Sequence, residues 1–134
     1  MLRYSLSRQF LVIFLVVIFL VHGWAALTSA YFFIWWLDIV MHIAGGLWVG
    51  VFSLFLARNI SVPDMVLFWL VLGSVAIIGV FWEFFEFGLN QVWESFGFEG
   101  LFQPSLEDTL GDLLADLLGG ALAFILSKRG KKNL

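Results

Sequence analysis

Four long apolar runs, each interrupted by few polar positions, organise the 134-residue chain. The first covers 10–30. Its most apolar part, 10–27, spans roughly 27 Å of a ~30 Å hydrocarbon layer at 1.5 Å per residue. The second covers 34–57 and stops at Arg58-Asn59. Ile60-Ser61-Val62-Pro63-Asp64 reads as a tight turn into the third, 62–90, with Ser61 as helix cap, Pro63 in the first turn and Asp64 as a capping-box acid. The fourth, 105–127, opens on the same signature in Ser105-Leu106-Glu107-Asp108 and ends at Lys128-Arg129-Gly130-Lys131-Lys132. Between them, 91–104 mixes Trp93, Phe96, Phe98 and Phe102 with Glu94 and Glu99, which predicts an interfacial loop or short surface-lying helix. The pattern predicts one all-α domain over 1–134, a polytopic bundle of four transmembrane helices.

Composition removes the alternatives. The chain is 62% hydrophobic and 13% charged, where soluble domains run nearer ~45–50% and ~25%. From Phe10 to Ala57 the one charged side chain is Asp38, and a soluble domain of this size lacks the interior to hide such a stretch. Disorder, coiled coil and nucleic-acid binding are excluded with it. The lack of cysteine removes disulfides, Fe–S clusters and Cys-ligated zinc. A cleaved leader would also begin with Arg3, Arg8 and an apolar run, but Trp24 and the apolar stretch from Tyr31 continue as membrane sequence.

Charge placement sets the expected orientation. Arg3, Arg8, Arg58, Lys128, Arg129, Lys131 and Lys132 fall at the N-terminus, the second connection or the C-terminus. In a four-span chain those places share one face, which the positive-inside rule makes cytoplasmic. The expected setting is a bacterial cytoplasmic (inner) membrane, multi-pass, with both termini inside. Asp64 is then the one cytoplasmic acid, and the other nine lie in the outer half, formally +6 against −9.

Those outer acids have a pattern. Asp38 and His42 are spaced i,i+4, with His42 about 6 Å deeper. Glu83 and Glu86 are spaced i,i+3, and Asn90 extends their face. Asp108, Asp112 and Asp116 recur every four residues, drifting about 40° per step and descending roughly 12 Å. An Asp at mid-span costs about 2.5–3.5 kcal/mol on insertion scales, and no Lys or Arg stands in these helices to neutralise one. Such carboxylates must hold protons or bind a cation. One imidazole among hard oxygens suits a divalent metal ion such as Zn, Mn or Fe, or Mg through a water. The candidate ligands are Asp38, His42, Glu83, Asp112 and Asp116, with Glu86 or Asp108 as general base. For Asp38, Glu107 and Asp108 a rim or capping role competes with ligation. His22 has no acid at helical spacing and reads as a packed histidine. Tyr31, Trp35 and Trp36 suit the outer aromatic belt, while Trp82 and Trp93 are candidates to line the site.

Asp38-Ile-Val-Met-His42 with Ala44-Gly45-Gly46, Gly79-Val-Phe-Trp82-Glu83-Phe-Phe-Glu86, and Asp108-Thr109-Leu-Gly-Asp112-Leu-Leu-Ala-Asp116-Leu-Leu-Gly119-Gly120 resemble the small, uncharacterised bacterial inner-membrane proteins of the YjdF type. More distantly, they are similar to VanZ-like proteins associated with glycopeptide resistance. The resemblance implies a compact multi-span fold built on a D-x3-H, a WE-x2-E and a DT-x2-D-x3-D helix. It supplies no settled reaction. Relatives with more spans imply that this shorter chain completes its bundle by self-association.

Three functions compete. The first is a metal-dependent site near the outer leaflet, acting on a membrane lipid or lipid-linked substrate. The second is a proton or cation transporter, and the third a non-enzymatic structural or partner-binding factor. The Gly46–Gly50 pair and the Gly119, Gly120, Ala123 stripe offer close helix contacts, within one chain or in a homo-oligomer. Because the chain lacks cysteine, topology is directly testable. A cysteine replacing Arg58 should react with an impermeant thiol reagent from the cytoplasmic face, and one replacing Glu94 from the other; labelling of both from one side would sink the four-span reading.

Overall fold

The computed structural model describes residues 8–98, 102 and 105–132, with side chains as far as Lys128. Arg3 and Glu99 lie outside the described residues, as do the side chains of Arg129, Lys131 and Lys132. The described chain is helical without strands: α1 (Arg8–Leu27), a single turn α2 (Ala30–Phe33), α3 (Leu37–Leu56) closing in a 3-10 turn (Ala57–Asn59), α4 (Asp64–Ser95) and α5 (Leu106–Lys132). Four of these helices are long and apolar enough to cross a membrane.

Local chemistry explains where each helix stops. α1 ends as the Thr28 hydroxyl donates back to the Trp24 carbonyl (2.7 Å) and Ser29 takes a left-handed conformation (φ 57°), uncommon outside glycine and fit for a sharp change of direction. α2 then turns Tyr31 inward, so it is buried rather than part of the aromatic belt, while Trp35 stays 78% exposed. Ser61 was expected to cap α4; instead Pro63 holds the cap position without a side-chain bond, and Asp64 pairs with Lys128 of α5. Each charge there opposes its helix dipole, aspartate at an N-terminus and lysine near a C-terminus. Ser105 does cap α5, its hydroxyl accepting from the Asp108 N–H at 3.0 Å.

The largest departure from expectation is α4. Gln91–Ser95, expected in the connector, prolong the helix, because Asn90 and Gln91 are polar without being breakers. It ends only near Gly97, whose φ of 81° suits a glycine that closes a helix. With 32 residues, α4 is roughly 48 Å long and reaches through the headgroup layer.

Packing is inverted relative to a soluble protein. Leu20, Phe33, Phe81 and Phe84 are 67–82% exposed, whereas His42, Glu86, Asn90, Asp112 and Asp116 are buried. Apolar surface facing lipid carries no penalty, so close contact between helices depends on small residues. Gly46 and Gly50 of α3 lie against Gly119, Gly120 and Ala123 of α5. A β-carbon at Gly50 would stand 2.7 Å from that of Ala123, and one at Gly46 would overlap the Asp116 backbone. On α4, Val75 fills the space over Gly120. The two small-residue stripes are thus spent on each other within one chain. α1 lies against α3, fixed by the Trp48 indole donating to the Leu11 carbonyl at 2.8 Å.

Gly46→Ala should force α3 and α5 apart and lower stability in detergent by at least about 1–3 kcal/mol. Gly73→Ala, where nothing lies within 4 Å, should be neutral or slightly stabilising. Thermal melts of the two variants check this contrast, and equal melting points would contradict the close α3–α5 contact.

Candidate metal centre

The close approach of α3 and α5 brings the polar residues together. His42 sits one turn inside α3, its side chain 4% exposed, with Asp38 a turn above it. Its Nε2 lies 3.8 Å from Asp38 Oδ1, 3.9 Å from Asp112 Oδ1 and 4.0 Å from Glu83 Oε1. Three helices thus each aim one carboxylate oxygen at one ring nitrogen. Its Nδ1 faces a fourth carboxylate, Asp116 Oδ1, at 3.4 Å.

The three separations at Nε2 are too long for hydrogen bonds, which fall near ~2.7–3.2 Å. They do match a shared ion: ligands held at about 2.1 Å stand about 3.4 Å apart at a tetrahedral angle and about 4.2 Å apart in trans. Asp38, His42 and Asp112 form one set of donor atoms within 4.8 Å of one another, and His42, Glu83 and Glu86 form a second. Glu83 Oε1 is fully buried with no hydrogen-bond partner among the described residues, a state that carries a desolvation penalty of about 1–3 kcal/mol or more for a charged group. Residues 59–127 and 9–57 contain no lysine or arginine, so no fixed positive charge offsets these acids.

Asp116 has a separate place. A β-carbon at Gly79 would come within 2.5 Å of its Oδ2, and one at Gly45 within 3.9 Å of its Oδ1. Glycines of α4 and α3 therefore make room for this carboxylate on the far side of the imidazole. Asp108 is half-exposed and lines a crevice of about 90 Å³ with Asp38, Tyr31 and Phe102. Glu107 is exposed, at the rim. Of the seven candidate residues, five gather around the sixth, His42, and Asp108 stands at the outer mouth.

An aromatic cover closes the outer end. Tyr31 and His22 Nδ1 share a 2.8 Å hydrogen bond, and the His22 ring stacks on Phe102 (5.6 Å) and meets Trp82 edge-on (5.0 Å). Burial, and then the carboxylates of Asp38, Glu86 and Asp112, raise the Tyr31 phenol above its ordinary range, so it stays neutral. Asn90 clasps Phe102 from below: its amide donates to the Phe102 carbonyl (3.2 Å) and accepts from the Phe102 N–H (3.1 Å). Sequence spacing placed Asn90 on the site's face but gave no sign of this clasp. Trp93, a candidate lining residue, packs on Phe98 instead.

A model of a family described as predicted membrane proteins, DUF2238, matches residues 2–133. The chain belongs to the DUF2238 family. No curated protein and no solved structure matches it. The assignment agrees with the resemblance to YjdF-type membrane proteins; the VanZ likeness is no part of it. In this DUF2238 chain the three motif helices are the ones that converge on His42.

Asn90→Ala would leave the Phe102 N–H and C=O unpaired. We expect a loss of about 2 kcal/mol and at least severalfold faster proteolysis between Ser95 and Ser105, read by melting and limited digestion in detergent. Unchanged cleavage would mean the clasp does not hold the cover.

Proposed function

We propose that this DUF2238 protein holds one divalent cation at His42 with Asp38 and Asp112, Glu83 and Glu86 forming the adjoining donor set on the same imidazole, in a centre that acts on a lipid or lipid-linked substrate at the outer leaflet. One observation carries the reading: three carboxylate oxygens from three helices converge on one ring nitrogen at non-hydrogen-bonding distances, one of them buried without a partner. A nitrogen with several carboxylates suits Mn, Fe or Zn, with Mg favoured only through water.

The two faces of His42 then have different tasks. Nε2 is the donor atom. Asp116, beside Nδ1, is a positioning residue that fixes the ring and its tautomer, as carboxylates behind metal-bound histidines commonly do. A bound ion would polarise an oxygen of the substrate and lower the pKa of an attached water. Glu86, buried in the second donor set, and Asp108, at the crevice, remain as bases. With no basic clamp in the spans, recognition of a phosphoryl group would rest on the ion alone, which favours a carbonyl or hydroxyl oxygen. The placement of Arg58 and the terminal basic residues supports a setting in a bacterial inner membrane with those residues cytoplasmic and this centre outward.

A transport path would need polar lining through the inner halves of the helices. There Ser53 and Ser74 donate to their own helix carbonyls, Val49 and Leu70, at 2.8 Å, which favours the fixed centre over transport.

Protein purified in detergent without chelator should carry about one divalent ion per chain by elemental analysis. His42→Ala and Asp112→Asn should each reduce that at least tenfold, while Glu107→Gln keeps it. Wild-type protein without stoichiometric metal would falsify the reading, and loss of metal that lowers only melting temperature would make the centre structural.

A further inference from the structure

A cavity of about 310 Å³ lies between α1, α3 and α4, walled by Leu15, Ile18, Val49, Val75 and Ile78 and closed at one end by Asp38, His42 and Asp116. We propose that it seats one fatty-acyl chain of a membrane amphiphile, with the amphiphile's oxygen-bearing head against Asp38 and His42. The head's place rests on the metal-centre reading; the chain's place rests on the cavity alone.

Size, wall chemistry and position select this occupant. The volume is at the low end of the ~300–1,000 Å³ found for small-ligand sites. A helix of another copy, about 10 Å across, does not fit. Along the apolar wall water is disfavoured, because a buried water needs two to four polar partners and Leu15, Ile18, Val49, Val75 and Ile78 supply none; polar partners lie at the end lined by Tyr31, Asp38, His42 and Asp116. α1 packs on α3, and its ring contacts toward α4 run through Trp82, with Phe19 at 6.1 Å and His22 at 5.0 Å. Phe19 and Ile78, on either side of that seam, are 52% and 50% exposed. The seam therefore faces the bilayer, whose available filler is hydrocarbon.

The polar end adds the second half of the ligand. Asp38 and Tyr31 line both this cavity and the outer crevice of about 90 Å³ that holds Asp108. A molecule with its chain in the large cavity has its head where the two meet, beside the imidazole. No lysine or arginine lines either space, so the head is held through oxygen rather than as a bare anion.

The test uses the full chain in nanodiscs with a diacylglycerol carrying a diazirine-bearing palmitoyl chain as the probe, mapping crosslinks by mass spectrometry and measuring metal in the same samples. Leu15 and Ile18 should be labelled at least fivefold more than Leu20, which is 67% exposed to the bilayer. Val49→Trp, and separately Leu15→Phe, should cut labelling at Ile18 at least fivefold with Leu20 labelling and metal content unchanged. Uniform labelling of wall and bilayer-facing residues, or labelling that both fillings leave intact, overturns the proposal. Selective labelling in protein without metal would uphold the chain's seat and overturn the head's.

Discussion

Carboxylates held at membrane depth without a lysine or arginine beside them are the constraint on which this molecule is built. Removing a carboxylate from water carries a penalty of several kcal/mol, even after relaxation, unless a partner compensates it. Asp38, Glu83, Asp112 and Asp116 arrive from three helices, and the nearest group of opposite potential is one imidazole. Four acids cannot each own that ring. Protons or a cation must balance the arrangement, and the donor atoms of Asp38, His42 and Asp112 lie close enough together to hold a metal ion.

Bringing four acids to one ring imposes a demand on the backbones. Carboxylates of Asp are short, so α3 and α5 must nearly touch. Gly46 and Gly119 allow it, since a β-carbon at Gly119 would sit 2.7 Å from the Leu47 nitrogen. Gly79 meets a parallel demand on α4, leaving space for the Asp116 carboxylate. In lipid this close packing also supplies the attraction between helices that the hydrophobic effect supplies in water. The residues that shape the site and those that hold the fold are therefore the same set.

Much of this was legible in the sequence because membrane helices have a strict grammar. Apolar length gave the four long helices. The i,i+4 spacing of Asp38 with His42, and of Asp112 with Asp116, put those acids on inward faces, and the structure gathers them, while Asp108 one step earlier stays at the outer crevice. What escaped was long-range or conformational. The 3.6-residue period says which face Asn90 occupies, but not that its amide reaches twelve residues ahead to the Phe102 backbone. Tyr31 read as belt because an amphipathic ring suits the interface; a left-handed Ser29 and one helical turn redirected it toward His22. Spacing likewise could not say which ring nitrogen of His42 each acid faces, Asp112 toward Nε2 and Asp116 toward Nδ1.

The division between the two nitrogens of His42 ties the fold to its chemistry. Asp116 is buried, confined between glycines of two helices, and meets Nδ1 at 3.4 Å. Nε2 is thereby aimed at the level where α3, α4 and α5 all present oxygens, and where the outer crevice meets the apolar cavity at Asp38. A centre set deeper would be cut off from water, and one set higher would lose the hydrocarbon wall. His42, one turn below Asp38, stands at the apolar cavity, and Asp38 above it reaches from that cavity into the outer crevice.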